Sequence, residues 1–149
     1  KMRKFNLAIA GTALLFAVGA ASAQEVGDPA AGEKVFNKCK ACHAVGEGAK
    51  NKIGPELNGI VGDKPGADRG GFKFSKPFQD WAADKAAWNE ELLTAWISDP
   101  KAVVKGTKMV FVGLKKPEEL KNVIAYLASF DESGAKQDPA EALKAAAAK

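Results

Sequence analysis

Apolar residues recur with the spacing of an amphipathic helix in the last third of the chain. Behind Pro117, one face carries large aliphatic side chains at i, i+3, i+4 and i+7: Leu120, Val123, Ile124 and Leu127. This pattern is typical of a helix packed on a core. Residues 90–99 follow the N-cap residue Asn89 and precede Pro100, which predicts a second helix. Its inward face carries Leu92, Leu93, Trp96 and Ile97.

Two more helices are predicted nearer the N-terminus. Asp28 is an N-cap residue with Pro29 at the first helical position, and the helix they open runs toward Cys39. Ser75 is the predicted cap of a short helix within residues 75–83.

Long loops separate these helices. Residues 45–68 are rich in glycine, proline and asparagine, and residues 101–116 form a second predicted loop. Because no alternating run long enough for a strand occurs, the sequence predicts an all-α fold of about three main helices. The helices carry few large apolar residues, so a further group is expected to fill the centre. Residues 24–130 are the predicted domain. In the alanine-rich residues 131–149, Asp138, Pro139 and Glu141 could cap a short helix, but because it would be marginal alone, this segment is a predicted flexible tail.

The first 23 residues have the pattern of a secretory signal peptide. Basic residues precede an apolar run over residues 7–19, and an Ala-Ser-Ala cleavage site ends at Ala23. The run of 13 residues is short for a membrane span, so a retained anchor is the weaker alternative. We predict cleavage after Ala23, a mature chain of 126 residues from Gln24, and a periplasmic location.

The composition is that of a globular protein. The 149 residues are 46% hydrophobic and 27% charged, with two cysteines and one histidine, which excludes fibrous, disordered and disulfide-dense classes. Three of the 22 basic residues and none of the 18 acidic ones precede Gln24, so 19 basic residues face 18 acidic ones afterwards. This near balance gives no support to nucleic-acid binding. Charge is still segregated, since residues 101–116 carry five lysines and no acid, and residues 80–99 carry five acids and one lysine.

Cys39, Cys42 and His43 form the sequence C-x-x-C-H, the attachment motif of c-type haem. Two cysteines three positions apart near a helix end can reach both vinyl groups of one porphyrin and form thioethers. The adjacent histidine then lies under the ring, where it can bind iron. The motif uses both cysteines and the sole histidine of the chain within five consecutive residues.

Three other kinds of protein site also contain a C-x-x-C pair. A dithiol redox motif normally follows a strand of a βαβ unit, which this sequence does not predict. A disulfide would leave His43 without a role. A structural zinc site needs four ligands, whereas the motif offers three. One covalently attached haem c is therefore the favoured interpretation.

The chain resembles class I cytochromes c, especially the bacterial periplasmic c2 kind and the mitochondrial cytochromes c. The resemblance implies a compact cytochrome c fold wrapped around one covalent haem, and it extends approximately over residues 27–130. It rests on five segments in order: GEKVFNKCKACH (32–43), GPELNGIVG (54–62), WNEELLTAWISDP (88–100), GTKMVFVGLKK (106–116) and VIAYL (123–127).

The resemblance also implies which residues surround the haem. Met109 corresponds to the methionine that is the sixth iron ligand in this family. Pro55 corresponds to the residue whose carbonyl accepts the imidazole N–H, and Trp88 to the donor to a buried haem propionate. Thr107 stands where a hydroxyl serves a propionate, and Trp96 where a tyrosine usually lies near the methionine sulfur. Ordinary core packing is the alternative role of these residues, above all of Trp96.

Two positions depart from the family pattern. Asp63 stands where arginine often occurs, and Phe74 stands where tyrosine often occurs. Because both usual residues help to hold a propionate, we expect a lower and more pH-sensitive midpoint potential. Arg69 and Lys64 are the candidates for compensation.

Two axial ligands from the protein leave iron no open position for a substrate, which favours one-electron transfer over enzymatic chemistry. The family implies a monomeric shuttle between a cytochrome bc complex and a terminal oxidase or photosynthetic reaction centre. The alternative function is peroxidase or gas-ligand chemistry at a haem from which Met109 dissociates. The lysines expected to dock the membrane complexes are Lys38, Lys40, Lys101, Lys105, Lys108, Lys115 and Lys116.

Overall fold

The computed structural model describes residues 25–149, and this part of the chain is helical. Its helices are α1 (Pro29–Phe36), α2 (Lys76–Ala82), α3 (Glu90–Ser98), α4 (Pro100–Val103), α5 (Pro117–Ala128) and α6 (Pro139–Ala147). Within these residues the one β-type pairing is an isolated bridge between Phe130 and Lys136, so the predicted all-α class is confirmed. No helix in residues 25–149 has the length and apolar character needed to span a membrane. The predicted signal peptide and its cleavage after Ala23 lie outside the described residues.

Helices α1 and α5 cross in direct contact and organise the core. Gly32 lies at the crossing, where a Cβ atom would be only 1.9 Å from the backbone oxygen of Asn122. This close approach brings the buried ring of Phe36 to 5.4 Å from the ring of Tyr126. The predicted inward face of α5 is confirmed, since all four of its aliphatic residues are buried.

The predicted N-caps Asp28 and Asn89 make their capping hydrogen bonds, whereas the predicted cap Ser75 does not. The Asp28 side chain accepts from the backbone N–H of Ala30 at 2.8 Å, and the Asn89 side chain accepts from that of Leu92 at 2.9 Å. Ser75 occupies the N-cap position of α2 but makes no such bond. Helix α2 is therefore started by the proline in its first turn rather than by a capping side chain.

Helix α4 shortens the loop predicted over residues 101–116. Asp99 ends α3 and also caps α4, because its side chain accepts from the backbone N–H of Ala102 at 3.1 Å. Pro100 then occupies the first position of α4. Pro100 therefore follows the end of α3 and also begins α4.

Residues after Phe130 contain a packed helix, whereas the sequence predicts a flexible tail. Asp138 caps α6 with its side chain, and α6 contacts α5 and α3. Leu143 and Ala146 are 8% and 1% exposed and belong to the apolar core. Gln137 adds a side-chain hydrogen bond to the Phe130 carbonyl at 3.1 Å. Tertiary contacts therefore support a helix that would be marginal in isolation.

Candidate haem-binding site

The C-x-x-C-H motif lies on tight turns directly after α1. The backbone N–H of Cys39 donates to the Phe36 carbonyl at 2.8 Å, and that of His43 donates to the Cys39 carbonyl at 2.9 Å. Cys39 and Cys42 are free thiols and half-buried. Burial raises the pKa of the Cys39 thiol to about 11, so this thiol is protonated at neutral pH. Two free thiols three positions apart match the demands of two thioether bonds to one ring.

His43 is held so that one ring nitrogen is left for a metal. Its Nδ1 atom lies 2.7 Å from the Pro55 carbonyl oxygen. Because a carbonyl oxygen can only accept, Nδ1 carries the proton and Nε2 keeps its lone pair. Burial also lowers the pKa of His43, which favours the neutral ring that metals bind. Pro55 thus occupies the position that the sequence predicts for it.

Gly54 lets the backbone approach the imidazole closely. A Cβ atom at this position would be 2.4 Å from Cε1 of His43. The backbone N–H of Gly54 donates to the Cys42 carbonyl at 2.9 Å, which ties this loop to the motif. The loop therefore contacts His43 at two consecutive residues, Gly54 and Pro55.

Met109 and Thr107 lie together in the loop between α4 and α5. Met109 is half-buried and packs against the apolar core. Its backbone N–H donates to the Thr107 hydroxyl oxygen at 3.2 Å, and the Thr107 N–H donates to the Val104 carbonyl at 3.0 Å. The Thr107 hydroxyl keeps its own proton for a further acceptor. The donor role that the sequence predicts for Thr107 toward a propionate stays a prediction.

Aromatic rings surround the two predicted tryptophans. Trp88 and Trp96 are 4% and 9% exposed, and their ring centroids are 6.0 Å apart. The ring of Phe78 lies 5.4 Å from Trp96, and that of Trp81 lies 5.5 Å from Trp88. Sequence reasoning missed Phe78 and Trp81, although their i, i+3 spacing on α2 is a signal that they share a face. Trp96 therefore packs as part of an aromatic core.

Arg69 pairs with Asp63, the residue that departs from the family pattern. Its Nη2 atom lies 3.0 Å from an Asp63 carboxylate oxygen, and its Nη1 atom lies 2.9 Å from a Glu56 carboxylate oxygen. Lys64, the other candidate for compensation, donates to two backbone carbonyls instead. The charge of Arg69 is therefore balanced by two carboxylates of the chain itself. Sequence reasoning missed Glu56.

The seven lysines predicted to dock partners are all exposed. Three of them contact carboxylates, since Lys38 and Lys116 approach Glu119 and Lys115 approaches Asp99. The other four have no carboxylate within 4.0 Å among residues 25–149; they are Lys40, Lys101, Lys105 and Lys108. The charge of this second group is available to a partner.

Two apolar side chains are exposed close to Lys108 in the chain. Val110 and Val112 follow Met109 in the chain and are 88% and 87% exposed. Exposed apolar side chains near an unpaired positive charge are typical of a surface that contacts another protein.

The residues present fit a covalently attached haem. Two free thiols supply the attachment points, and His43 offers an unprotonated Nε2 as an iron ligand. Met109, in a glycine-bounded loop, supplies a thioether. The fold and the site together define a c-type haem protein.

Comparisons with known proteins agree with this class. The family model described as cytochrome c matches residues 29–131. A cytochrome c-554 from Methylosinus trichosporium is 48% identical over 136 residues, which cover 91% of this chain and 100% of that protein. A cytochrome c2 from Rhodomicrobium vannielii is 45% identical over 128 residues, 86% of this chain and 97% of that one.

A solved structure that is similar to this chain belongs to the same family. Cytochrome c2 from Rhodospirillum centenum aligns with a TM-score of 0.65 at 39% identity, over 70% of this chain and 99% of that one. The chain therefore belongs to the cytochrome c family. It binds one covalent haem c, and it is an electron carrier rather than an enzyme.

Proposed function

We propose that this chain is an exported, periplasmic carrier with haem iron held between His43 and Met109. It passes single electrons from a cytochrome bc complex to a terminal oxidase or a photosynthetic reaction centre. The observation that carries this proposal is the 2.7 Å contact of His43 Nδ1 with the Pro55 carbonyl, because it places the proton on Nδ1 and leaves the Nε2 lone pair for a metal. When bound, the haem supplies an iron atom that alternates between Fe(II) and Fe(III). Two protein ligands leave no iron position for a substrate.

The remaining site residues hold the haem and control its surroundings. Cys39 and Cys42 attach it through thioethers, and Trp88 and Thr107 donate hydrogen bonds to its propionates. Trp96 packs against the rings of Trp81 and Trp88, and apolar surroundings of this kind help to set a redox potential.

Replacing Met109 by alanine is expected to abolish the sulfur-to-iron absorption band at the red end of the oxidised spectrum. The Soret band and the mass of attached haem should persist, because Cys39 and Cys42 still form thioethers. The reduced-minus-oxidised spectrum should show the thioether-type α band in parent and variant alike. Val110→Ala, a change at the exposed neighbouring position, is the control and should keep the sulfur-to-iron band.

Two results would contradict this ligation. An unchanged red band in Met109→Ala would remove Met109 from the iron. Carbon monoxide binding to the reduced parent protein at neutral pH would show that Met109 dissociates, and it would favour peroxidase or gas-ligand chemistry.

Replacing Lys108 by glutamate is expected to slow electron transfer to a bacterial cytochrome c oxidase several-fold at low salt. Lys108 is exposed and unpaired beside Met109, and opposite charges on two partners accelerate their association. The second-order rate constant is measured at several ionic strengths, and the difference should shrink as salt rises. Lys144→Glu on α6 makes the same change in net charge and serves as the control. An equal slowing in both variants would contradict docking through the Lys108 face.

A further inference from the structure

Arg69 is the one buried charged side chain among residues 25–149, and its hydrogen bonds converge on one loop. Its Nη1 atom donates to the Glu56 carboxylate at 2.9 Å, to the Glu56 carbonyl at 3.1 Å and to the Asn58 carbonyl at 2.9 Å. Its Nη2 atom donates to the Asp63 carboxylate at 3.0 Å. Burying a charge is costly unless it is paired. Here the pairing ties the guanidinium to residues 56–63.

Asn51 holds the same loop from another side. Its side-chain oxygen accepts from the backbone N–H of Glu56 at 2.8 Å, and its side-chain nitrogen donates to the Arg69 carbonyl at 2.6 Å. Asn51 and Arg69 are thus bonded to each other and both to Glu56. These three residues are called the Asn51–Arg69 clamp below.

The clamp holds the peptide group that His43 uses. The Pro55 carbonyl lies 2.7 Å from His43 Nδ1, and the Glu56 N–H donates to Asn51. These two groups belong to one planar peptide unit, so a bond that fixes one orients the other. An engaged N–H also polarises the carbonyl of its unit and makes it a stronger acceptor.

We propose that Asn51, held by Arg69, is a positioning residue that sets the strength of the hydrogen bond from His43 to Pro55, and through it the midpoint potential of the haem iron. This inference rests on the proposed function, because it needs His43 as an iron ligand. A stronger acceptor at Nδ1 makes the imidazole a more basic ligand, which favours Fe(III) and lowers the midpoint potential. A weaker acceptor raises it.

Three variants of the haem-loaded protein separate this tuning from loop stability. Asn51→Ala removes the acceptor of the Glu56 N–H. Asn51→Asp keeps an oxygen that can accept from the Glu56 N–H and adds a negative charge, which strengthens the acceptor, but it loses the N–H donor to the Arg69 carbonyl. Asn58→Ala is the matched control. It removes the side-chain bonds of 2.8 and 2.9 Å to the Gly46 backbone, and it keeps the backbone groups of residue 58 that bond to Arg69 and Glu56.

The readouts are the proton resonance of His43 Nδ1–H in the reduced protein, its exchange with solvent and the midpoint potential. We expect Asn51→Ala to shift the resonance upfield, to speed exchange about tenfold through the weakened hydrogen bond, and to raise the potential. Asn51→Asp should keep the resonance in place or move it downfield, and it should lower the potential. Asn58→Ala should lose stability and change neither readout.

The outcomes distinguish this inference from the function on which it rests. If Asn51→Ala matches Asn58→Ala in resonance and potential while haem stays bound through His43, the clamp is a structural tie only and the inference is overturned. The same holds if Asn51→Ala lowers the potential. If the parent protein shows no iron-bound imidazole, the proposed function fails first and the inference fails with it.

Discussion

Alanine in place of Gly54 is expected to prevent stable iron ligation by His43, and so to change the Soret spectrum of the haem that Cys39 and Cys42 still hold. The added Cβ atom would be 2.4 Å from Cε1, 2.8 Å from Nδ1 and 2.9 Å from Nε2 of His43. The ring has little freedom to move, because Nδ1 is bonded to Pro55 and Nε2 is the proposed iron ligand. Ordinary contact requires a displacement of about 1 Å, and overpacking of this kind costs about 1–3 kcal/mol or more.

The measurement for Gly54→Ala is the Soret spectrum of the loaded protein, with haem per polypeptide. Gly48→Ala is a suitable control, since Gly48 has a φ of +71° and no atom lies within 4 Å of an added Cβ. Gly48→Ala should cost stability through backbone strain while keeping the parent haem content and spectrum. An unchanged Soret spectrum in Gly54→Ala would show that iron does not bind His43 in this orientation.

Local patterns suffice for helices whose buried face is made of large side chains. The aliphatic face of α5 and the caps at Asp28 and Asn89 are all readable within a few positions of the chain. Helix α6 is different, because its buried face consists of Leu143 and Ala146. Alanine contributes little to an amphipathic pattern, and the partners of α6 in α3 and α5 lie outside any local window. The sequence therefore predicts a flexible tail where the structure has a packed helix.

The site residues also divide into those that local sequence patterns predict and those that they do not. Cys39, Cys42 and His43 lie within five consecutive residues, so the haem-attachment motif can be recognised from their spacing alone. The Asn51–Arg69 clamp joins loop residues 5 to 18 positions apart, where no periodicity indicates pairing. One feature of the sequence does single out Arg69, because it is the sole arginine after residue 23. A guanidinium can bond several carboxylate and carbonyl oxygens at once, which suits a position where a lysine ammonium would not serve equally.

Replacing Gly32 by alanine is expected to destabilise the folded protein by about 3 kcal/mol or more. Helix propensity alone predicts the opposite sign, since alanine is favoured over glycine by about 1 kcal/mol in a helix interior. The added Cβ atom, however, would be 1.9 Å from the Asn122 oxygen and 2.8 Å from Tyr126 Cβ. Because the first of these atoms is α5 backbone, relief requires α1 and α5 to separate. Separation would also loosen the packing of Phe36 on Tyr126.

Denaturant unfolding of the haem-loaded protein, followed by far-UV circular dichroism, measures this effect. Ala30→Gly is the reverse exchange at an exposed position of the same helix, and it should cost about 0.5–1 kcal/mol through backbone entropy alone. The decisive comparison is one of sign, because propensity predicts that the two changes act in opposite directions and the crossing predicts that both destabilise. A Gly32→Ala protein as stable as the parent would mean that α1 and α5 have room for a methyl group at their crossing.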